Sequence, residues 1–285
     1  RNVGTFTPWI VFVINDVKQG GNSMKLATAL TIAGTDPTGG AGIMADLKSF
    51  TARGVYGMAV VTSVVAQNTM GVRTIENISL DMLEAQLKAV YDDISPMAVK
   101  TGMLATADMM RVIKPFLSRA TPYVMDPVMV ATSGDALIDE EARHHLISEL
   151  MPLATLVTPN LPEAEFLVGR KLTTEADIDK AAHEILTEMG PKAVIIKGGH
   201  IGVDATDYLY VKGEERRTWT SPKFDTPHTH GTGCTFSAVI AAELAKGKSI
   251  AEAVAVGKAF ITTAIKENPG LGKGHGPVNH MAYHE

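Results

Sequence analysis

HGTGCTFSA, residues 230–238, places the chain's single cysteine, Cys234, directly behind Gly231, Thr232 and Gly233. Glycines ahead of a helix-forming run offer successive backbone N–H groups at the positive end of a helix dipole, a setting that takes an anion such as phosphate. A tight turn that needs glycine's positive φ is the plainer use of such a segment, and GTGC alone does not separate the two. Neither G-x-x-x-x-G-K-[ST] nor, after the first strand, G-x-G-x-x-G occurs, so a phosphate here would sit in a third kind of loop. Two carboxylates fit an accompanying Mg²⁺, which keeps waters and takes one or two protein carboxylates plus substrate phosphates. They are Asp126 in YVMDP and Glu163, the fourth residue of NLPE. A first-turn glutamate is also what a helix dipole favours by itself. The nine histidines fit zinc poorly: His228 and His230 are two apart, His275 and His280 five apart, and no second thiol exists.

These groups need elements to hold them, and the chain alternates strand with helix. The strands are ATALTIAG (27–34), MAVVTSVVA (58–66), MAVKTG (97–102), YVMDP (123–127), TLVTPN (155–160) and AVIIKGG (193–199). Between them lie a helix over 43–54 with Ile43, Leu47 and Phe50 on one face, and a helix capped by Ser79 carrying Leu80, Leu83, Leu87 and Val90. Further helices run from Thr106 to Arg119 with a bend at Pro115, over 139–151, from Asn160 with Pro162 in the first turn, and from Thr174 to Gly190. TDYLYVKGEERRTWTSP reads as a hairpin turning at Gly213. Helices over 233–246 and 249–266 close the pattern, the second opened by the capping box Ser249 to Glu252. Such alternation specifies an α/β fold, a mostly parallel sheet with helices on both faces.

In such sheets the ligand crevice lies beyond the carboxyl ends of the strands. The residues there are Gly34-Thr35-Asp36, Gln67-Asn68, Lys100-Thr101-Gly102-Met103, Asp126-Pro127, Thr158-Pro159-Asn160 and Lys197-Gly198-Gly199-His200. A purely structural rim would also be made of loops, but has less reason to gather Gln67, Asp126 and Lys197 among so many glycines. A small-molecule site is expected on this rim.

Composition sets bounds. Of 285 residues 45% are apolar and 20% charged, with a net charge of −5 and no basic stripe, which speaks against nucleic acid. No apolar run reaches the roughly 18 residues of a membrane span. One cysteine excludes an internal disulfide framework and fits a reducing compartment. One domain is expected over 24–285, with residues 1–23 as an extension outside it. Lys18-Gln19-Gly20-Gly21 can be encoded by a purine run like a ribosome-binding site just ahead of Met24, so 1–23 is expected to be translated upstream sequence. A genuine, poorly ordered extension is the alternative.

ALTIAGTDPTGGAGIMADLKSF, VVAQNTMGV, KTGML, DPVMV, TPNLPEAE, IKGGH and HGTGCTFSA, in this order, resemble the hydroxymethylpyrimidine/phosphomethylpyrimidine kinases of thiamine biosynthesis, in the ribokinase superfamily. The resemblance runs from about Leu26 to GHGPVNH, and HGTGCT alone is shared with bacterial pyridoxal kinases. It implies a ribokinase-like three-layer αβα sandwich, two successive phosphorylations of 4-amino-5-hydroxymethyl-2-methylpyrimidine by ATP with Mg²⁺, a cytoplasmic location and a homodimer. It implies a pyrimidine pocket of Gly34, Asp46, Gln67 and Met103. An acid and an amide suit an aminopyrimidine edge, although Asp46, four residues past Gly42, would otherwise read as a helix-surface acid. Met44 stands where the family often has glutamine, a difference expected to face outward. Asn160, Lys197 and Thr232 fall to the nucleotide phosphates, Asp126 and Glu163 to the metal, and Gly231, Gly233, Lys197 and Cys234 to phosphoryl transfer. Cys234 occupies the position of the superfamily's aspartate base. A helix N-terminus lowers a thiol's pKa, so thiolate is expected there to take the alcohol proton. Pyridoxal kinase on the same fold is the nearest alternative. A non-catalytic vitamin-binding protein is another, which would not require Asp126, Glu163 and Lys197 together.

Overall fold

The computed structural model of the chain describes residues 26–129, 138, 140–198 and 204–283. The expected extension, Met24, Gly199 and His200 lie outside the described residues.

Buried β-branched and small residues make the strands. β1 (Thr28–Ala33) leads through a glycine loop to α1 (Gly42–Ala52) and returns as β2 (Tyr56–Val61). β3 (Ser63–Asn68) and β4 (Gly71–Asn77) form a separate two-stranded flap. α2 (Leu80–Tyr91), β5 (Ala98–Thr101), α3 (Ala107–Ile113), β6 (Tyr123–Met125), α4 (Glu140–His145), β7 (Leu156–Val157), α5 (Leu161–Val168), α6 (Glu175–Glu184) and β8 (Ala193–Gly198) continue the alternation. The hairpin of β9 (Ala205–Val211) and β10 (Arg217–Ser221) precedes α7 (Thr232–Ala245) and α8 (Ile250–Lys266). The main sheet has eight strands in the order β10-β9-β8-β7-β6-β5-β1-β2. β2, β1, β5, β6, β7 and β8 pair in parallel, and β9 and β10 add an antiparallel edge.

Alternate residues of each strand feed two cores. Leu30, Val99, Met125, Val157 and Val194 face the layer of α2 to α6, joined there by Leu83, Leu87, Met110 and Ile178. Ala29, Ala98, Val124, Leu156 and Ile195 face α1, α7 and α8, with Phe50, Phe236 and Phe260. This is the expected ribokinase-like three-layer sandwich, and its parallel strands are covered on both faces, as parallel sheets require.

Three local readings differ. The run 58–66 is two strands. Thr62 donates its N–H to the Ala33 carbonyl at the end of β1 (3.0 Å), and the chain beyond it leaves the sheet to build the flap. The helix expected over 106–119 ends at Ile113 and tightens into a 3₁₀ turn over Lys114–Phe116, because Pro115 has no N–H to continue the ladder. The helix over 139–151 begins at Glu140 and widens into a π turn over Leu146–Leu150.

Strand order reverses between β1 and β5: from β1 the chain builds one side with β2 and the other from β5 onward. A crevice must open at that switch point, beyond the carboxyl ends of the strands.

Candidate active site

The crevice is there. A cavity of about 440 Å³ is lined by Gly34 after β1 and Gly102 and Met103 after β5, with Gln67 of the flap, Asp126, Asn160, Glu163, Lys197 and the segment Thr229 to Cys234. That volume suits a small molecule rather than a macromolecule.

Two helix N-termini point into it. α2, α3, α5, α6 and α8 are each capped by a side chain, from Ser79, Thr106, Asn160, Thr174 and Ser249. α1 and α7 start at Ala41 and Gly231 with no side-chain cap and no acid in the first turn. The α1 amides of Gly42 and Ile43 are already taken, by the Cys234 sulfur and by the Gly34 carbonyl (3.0 Å). The Thr232 N–H bonds to the Thr229 carbonyl (3.2 Å). The next amides of α7, at Gly233 and Cys234, serve a ligand, and both dipoles favour negative charge in the cavity. Gly231 has φ +81°, and a Cβ there would lie 1.7 Å from the Gly40 carbonyl oxygen. Only glycine lets the two glycine loops touch.

A clasp fixes those loops together. Buried Asp36 pairs with His230 Nε2 at 2.7 Å. It also accepts from the Thr38 N–H (2.9 Å) and hydroxyl (2.8 Å) and from the N–H groups of Gly40 (3.2 Å) and Ala41 (2.9 Å). Burial pushes its pKa up, but the bonds from His230 and Thr38 outweigh that and hold it below the usual carboxylate value. The sequence offers no local signal for this pair, which spans 194 residues.

The charged wall lies opposite. Lys197 Nζ is 3.7 Å from Asp126 Oδ1, and the Thr158 and Ser237 hydroxyls donate to the two Asp126 oxygens at 3.2 Å each. Thr158 and Ser237 thereby orient the carboxylate, a role not visible in their spacing. Glu163 and Asn160 exchange bonds in a capping box, 2.8 Å each way, and the Lys197 N–H bonds to the Pro159 carbonyl at 2.9 Å. Burial pushes Glu163 up to about 7; Lys197 opposes this and Asp126 adds to it. A Cβ on Gly233 would lie 3.4 Å from Lys197 Nζ and 3.6 Å from Asp126 Oδ2, so the first turn of α7 sits directly over this pair. The capping of α5 and the placing of two charged groups therefore use the same residues.

These carboxylates fit Mg²⁺. Glu163 is a buried acid for which Lys197 supplies too little positive charge, and a divalent cation would supply the rest. Among the described residues no three His, Cys, Asp or Glu side chains cluster as an all-protein cage. One or two carboxylates completed by waters and phosphates is the arrangement Mg²⁺ takes.

At the other end of the cavity Gly34, Gln67 and Met103 come together. A Cβ on Gly34 would sit 3.1 Å from Met103 Cε, and Gln67 Nε2 donates to the Thr35 carbonyl at 3.4 Å. Gln67 and Asn68 lie within β3 of the flap, not just past a strand of the main sheet.

Three expectations are corrected. Asp46 does not reach the cavity. It is wholly buried, with Lys100 Nζ at 2.7 and 2.8 Å and the Thr31 hydroxyl at 2.6 Å, so direct contact with a pyrimidine is ruled out in this arrangement. The Cys234 thiol, expected to be lowered, is raised. Burial pushes it up to about 11; Lys100 and the N–H of Gly42 pull down, while Asp46 and Asp126 push up further. Desolvation of the charged sulfur is the largest cause of the shift, ahead of the pull of Lys100. Met44, expected to face outward, is half-buried beneath the loop, its sulfur 3.5 Å from the Asp36 N–H.

The C-terminal tail completes the site. The His275 N–H bonds to the Thr69 carbonyl at the flap tip (2.8 Å), and the His230 N–H to the Gly276 carbonyl (3.0 Å). His280 reaches the Thr235 hydroxyl at 2.9 Å, and its burial holds it well below the usual histidine value, at about 4. The tail is thus a strap from flap to anion loop.

A switch-point cavity holding an uncapped, glycine-led helix N-terminus, a lysine and two carboxylates defines a small-molecule kinase of the ribokinase-like class. The model of the phosphomethylpyrimidine kinase family matches residues 36–279, and the chain belongs to that family. It is 54% identical over 264 residues to hydroxymethylpyrimidine/phosphomethylpyrimidine kinase of Staphylococcus aureus, covering 91% of this chain and 95% of the relative. Phosphomethylpyrimidine kinase of Clostridium difficile is similar in structure, with TM-score 0.74 and 42% identity over 85% of this chain and all (100%) of that one. Pyridoxal kinase of Bacillus subtilis, solved as an ADP complex, has TM-score 0.83 and 42% identity over 90% of this chain and 98% of that one.

Proposed function

We propose that the protein transfers the γ-phosphoryl group of ATP to the hydroxymethyl oxygen of 4-amino-5-hydroxymethyl-2-methylpyrimidine, and then phosphorylates the monophosphate, in thiamine biosynthesis. The observation that carries this reading is the convergence of Gln67 and Met103, Cys234, and the two uncapped helix N-termini on one cavity. Gly34, Gln67 and Met103 hold the ring. The alcohol oxygen attacks the γ-phosphorus as the bond to ADP breaks, and its proton passes to Cys234 Sγ. The first-turn amides of α7, at Gly233 and Cys234, face the charge that spreads over the phosphoryl oxygens, and Lys197 neutralises part of it. Thr232 and Asn160 line the phosphate path. Asp126 and Glu163 would hold Mg²⁺, which would supply positive charge against the nucleotide phosphates. The likeness to a pyridoxal kinase favours pyridoxal as a second substrate to be measured.

Gln67→Ala tests the ring assignment. Its KM for hydroxymethylpyrimidine should rise by about tenfold or more, as for a lost hydrogen bond to a buried polar ligand, with the KM for ATP nearly unchanged. Equal changes in both would remove Gln67 from the pocket. ATP consumption with each ring, free and monophosphorylated, decides between the pyrimidine and pyridoxal.

The same reading includes a homodimer in the cytoplasm. The flap pairs with no strand of the main sheet, and Val64 and Met70 on it are 51% and 70% exposed. An isolated two-stranded sheet is marginal in water, and a second copy is the cover we assign it. Sedimentation should give twice the chain mass, and Val64→Lys should give the monomer. A wild-type monomer at micromolar concentration would end this part of the proposal. The lone free thiol and the use of ATP support the location. Among the described residues no helix is long and apolar enough to cross a membrane.

A further inference from the structure

We propose that Thr69, at the tip of the flap, is a positioning residue for ring recognition: seated in a glycine cradle of the C-terminal tail, it holds Gln67 at a fixed place over the ring pocket. This rests on the ring-reading role given to Gln67 above.

The flap is built in two parts. Its base is tied to the loop after β1, by the Thr35 N–H on the Ser63 carbonyl (3.0 Å) and the Val65 N–H on the Thr35 hydroxyl (2.9 Å). The ladder then breaks. Ala66 stands opposite Thr74 and Gln67 opposite Val72, so Arg73 has no opposite number. Such a bulge disrupts the pairing locally and re-aims side chains. Gln67 therefore belongs to the tip, which keeps the pairs Gln67–Val72 and Asn68–Gly71. Two pairs of a two-stranded ribbon do not hold a side chain still in water. The bond from Gln67 Nε2 to the Thr35 carbonyl is long, at 3.4 Å. Among the described residues every other hydrogen bond from the tip to the rest of the protein runs through Thr69.

Thr69 sits against the tail segment GLGKGHG, residues 270–276. Its hydroxyl accepts from the N–H groups of Lys273 (3.2 Å) and Gly274 (3.3 Å), and its carbonyl accepts from the His275 N–H (2.8 Å). A Cβ on Gly272 would lie 2.4 Å from Thr69 Cγ2, and one on Gly274 would lie 2.2 Å from the Thr69 carbonyl oxygen. Gly274 separates contact from conformation. Its φ lies outside the left-handed region, so the backbone alone would accept alanine, and a glycine there costs chain entropy. The approach of Thr69 is what excludes a side chain.

The cradle itself is firm. The Asn279 N–H bonds to the Ala264 carbonyl (3.0 Å) and its side-chain NH₂ to the Glu267 carbonyl (2.9 Å), at the end of α8. The Val278 N–H bonds to the His230 carbonyl (3.2 Å), next to Gly231. One tail thus sets Gln67, through Thr69, and the anion loop, through His230, against each other. Transfer depends on that separation, because a ring displaced by about 1 Å carries its hydroxymethyl oxygen out of line with the γ-phosphorus.

Gly274→Ala drives a Cβ into the backbone of the tip, and Thr69→Val removes the hydroxyl while keeping the shape. In the ligand-free protein, amide hydrogen exchange at residues 67–72 should be about tenfold faster in Gly274→Ala, with residues 63–65 unchanged. The KM for hydroxymethylpyrimidine and for its monophosphate should rise about three- to tenfold, the size of a lost hydrogen bond, with the KM for ATP nearly unchanged. Thr69→Val should give smaller changes in the same direction, and Thr69→Ser should restore wild-type values. In a Gln67→Ala background, Gly274→Ala should raise the pyrimidine KM by no more than about twofold further, because the group it displaces is gone. A general loosening of the tail would instead raise the KM for ATP as well and multiply in full with Gln67→Ala. Wild-type exchange at the tip, equal rises for ring and ATP, or full multiplication overturns the proposal. If Gly274→Ala does not fold, Thr69→Val and Thr69→Ser decide by the same measurements. Exchange needs no substrate, so the proposal can fail while the kinase reading stands. A Gln67→Ala enzyme with the wild-type pyrimidine KM would remove the ring reading, and this proposal with it.

Discussion

Cys234→Ala should slow phosphorylation of the free alcohol by about 10²–10⁴-fold, the range of a lost acid–base group, and leave phosphorylation of the monophosphate close to wild type. The difference lies in the acceptors. An alcohol must lose a proton as its oxygen bonds to phosphorus, whereas a phosphate monoester is already largely ionised at neutral pH. The raised thiol gives the pH dependence its sign. With the thiol pushed up to about 11, Cys234 is mostly protonated at neutral pH. Below that value each unit rise in pH therefore raises the thiolate fraction tenfold, and the first-step rate should climb with pH in the wild type and stay flat in the alanine variant. Cys234→Asp should restore part of the first step. Steady-state kinetics on both acceptors between pH 6 and 9 checks this. An alanine variant with wild-type turnover on the alcohol would mean that the proton leaves by another route.

Gly231→Ala should cost activity on both acceptors, about 10²-fold or more in kcat/KM, because it moves the anion loop rather than one functional group. Its φ of +81° is unfavourable to an L residue, and its new Cβ would fall 1.7 Å from the Gly40 carbonyl oxygen. Backbone cannot turn aside as a side chain end can, so the clasped loops must separate. Gly213 is the internal control. It has the same φ, +81°, at the β9–β10 turn, with nothing within 4 Å of a Cβ. Gly213→Ala should lose about 1–2 kcal/mol of stability from the left-handed conformation and keep its activity. Urea unfolding beside kinetics separates the two positions. Similar activities for both alanine variants would show that strain alone, and not the contact, matters at 231.

The layers of the fold were legible because buried parallel strands must be apolar on both faces, and runs such as AVIIKGG satisfy that. β4 was not. Its sequence GVRTIEN is largely exposed and lacks the alternation of a half-buried strand. The charged wall could be read from the residues that follow each strand. Asp46 could not be placed that way, because its partner Lys100 is 54 residues on. Nothing in ADLK tells whether the acid meets water, ligand or a buried ammonium. The direction of the Cys234 shift failed for a related reason. Helix position is a local property that a sequence displays, whereas enclosure by Gly42, Lys100 and the cavity walls depends on elements assembled from the whole chain.

The strap has a consequence for synthesis. Sheet, flap and α7 can assemble as the chain emerges, N-terminal elements first. Residues 273–280, which join Thr69 to His230 and reach Thr235, follow every strand and helix of the described fold in chain order. They cannot dock while they are still within the ribosome. Until they emerge, the chain carries an anion loop without its tie to the flap, so the site is finished later in synthesis than the sheet that positions it.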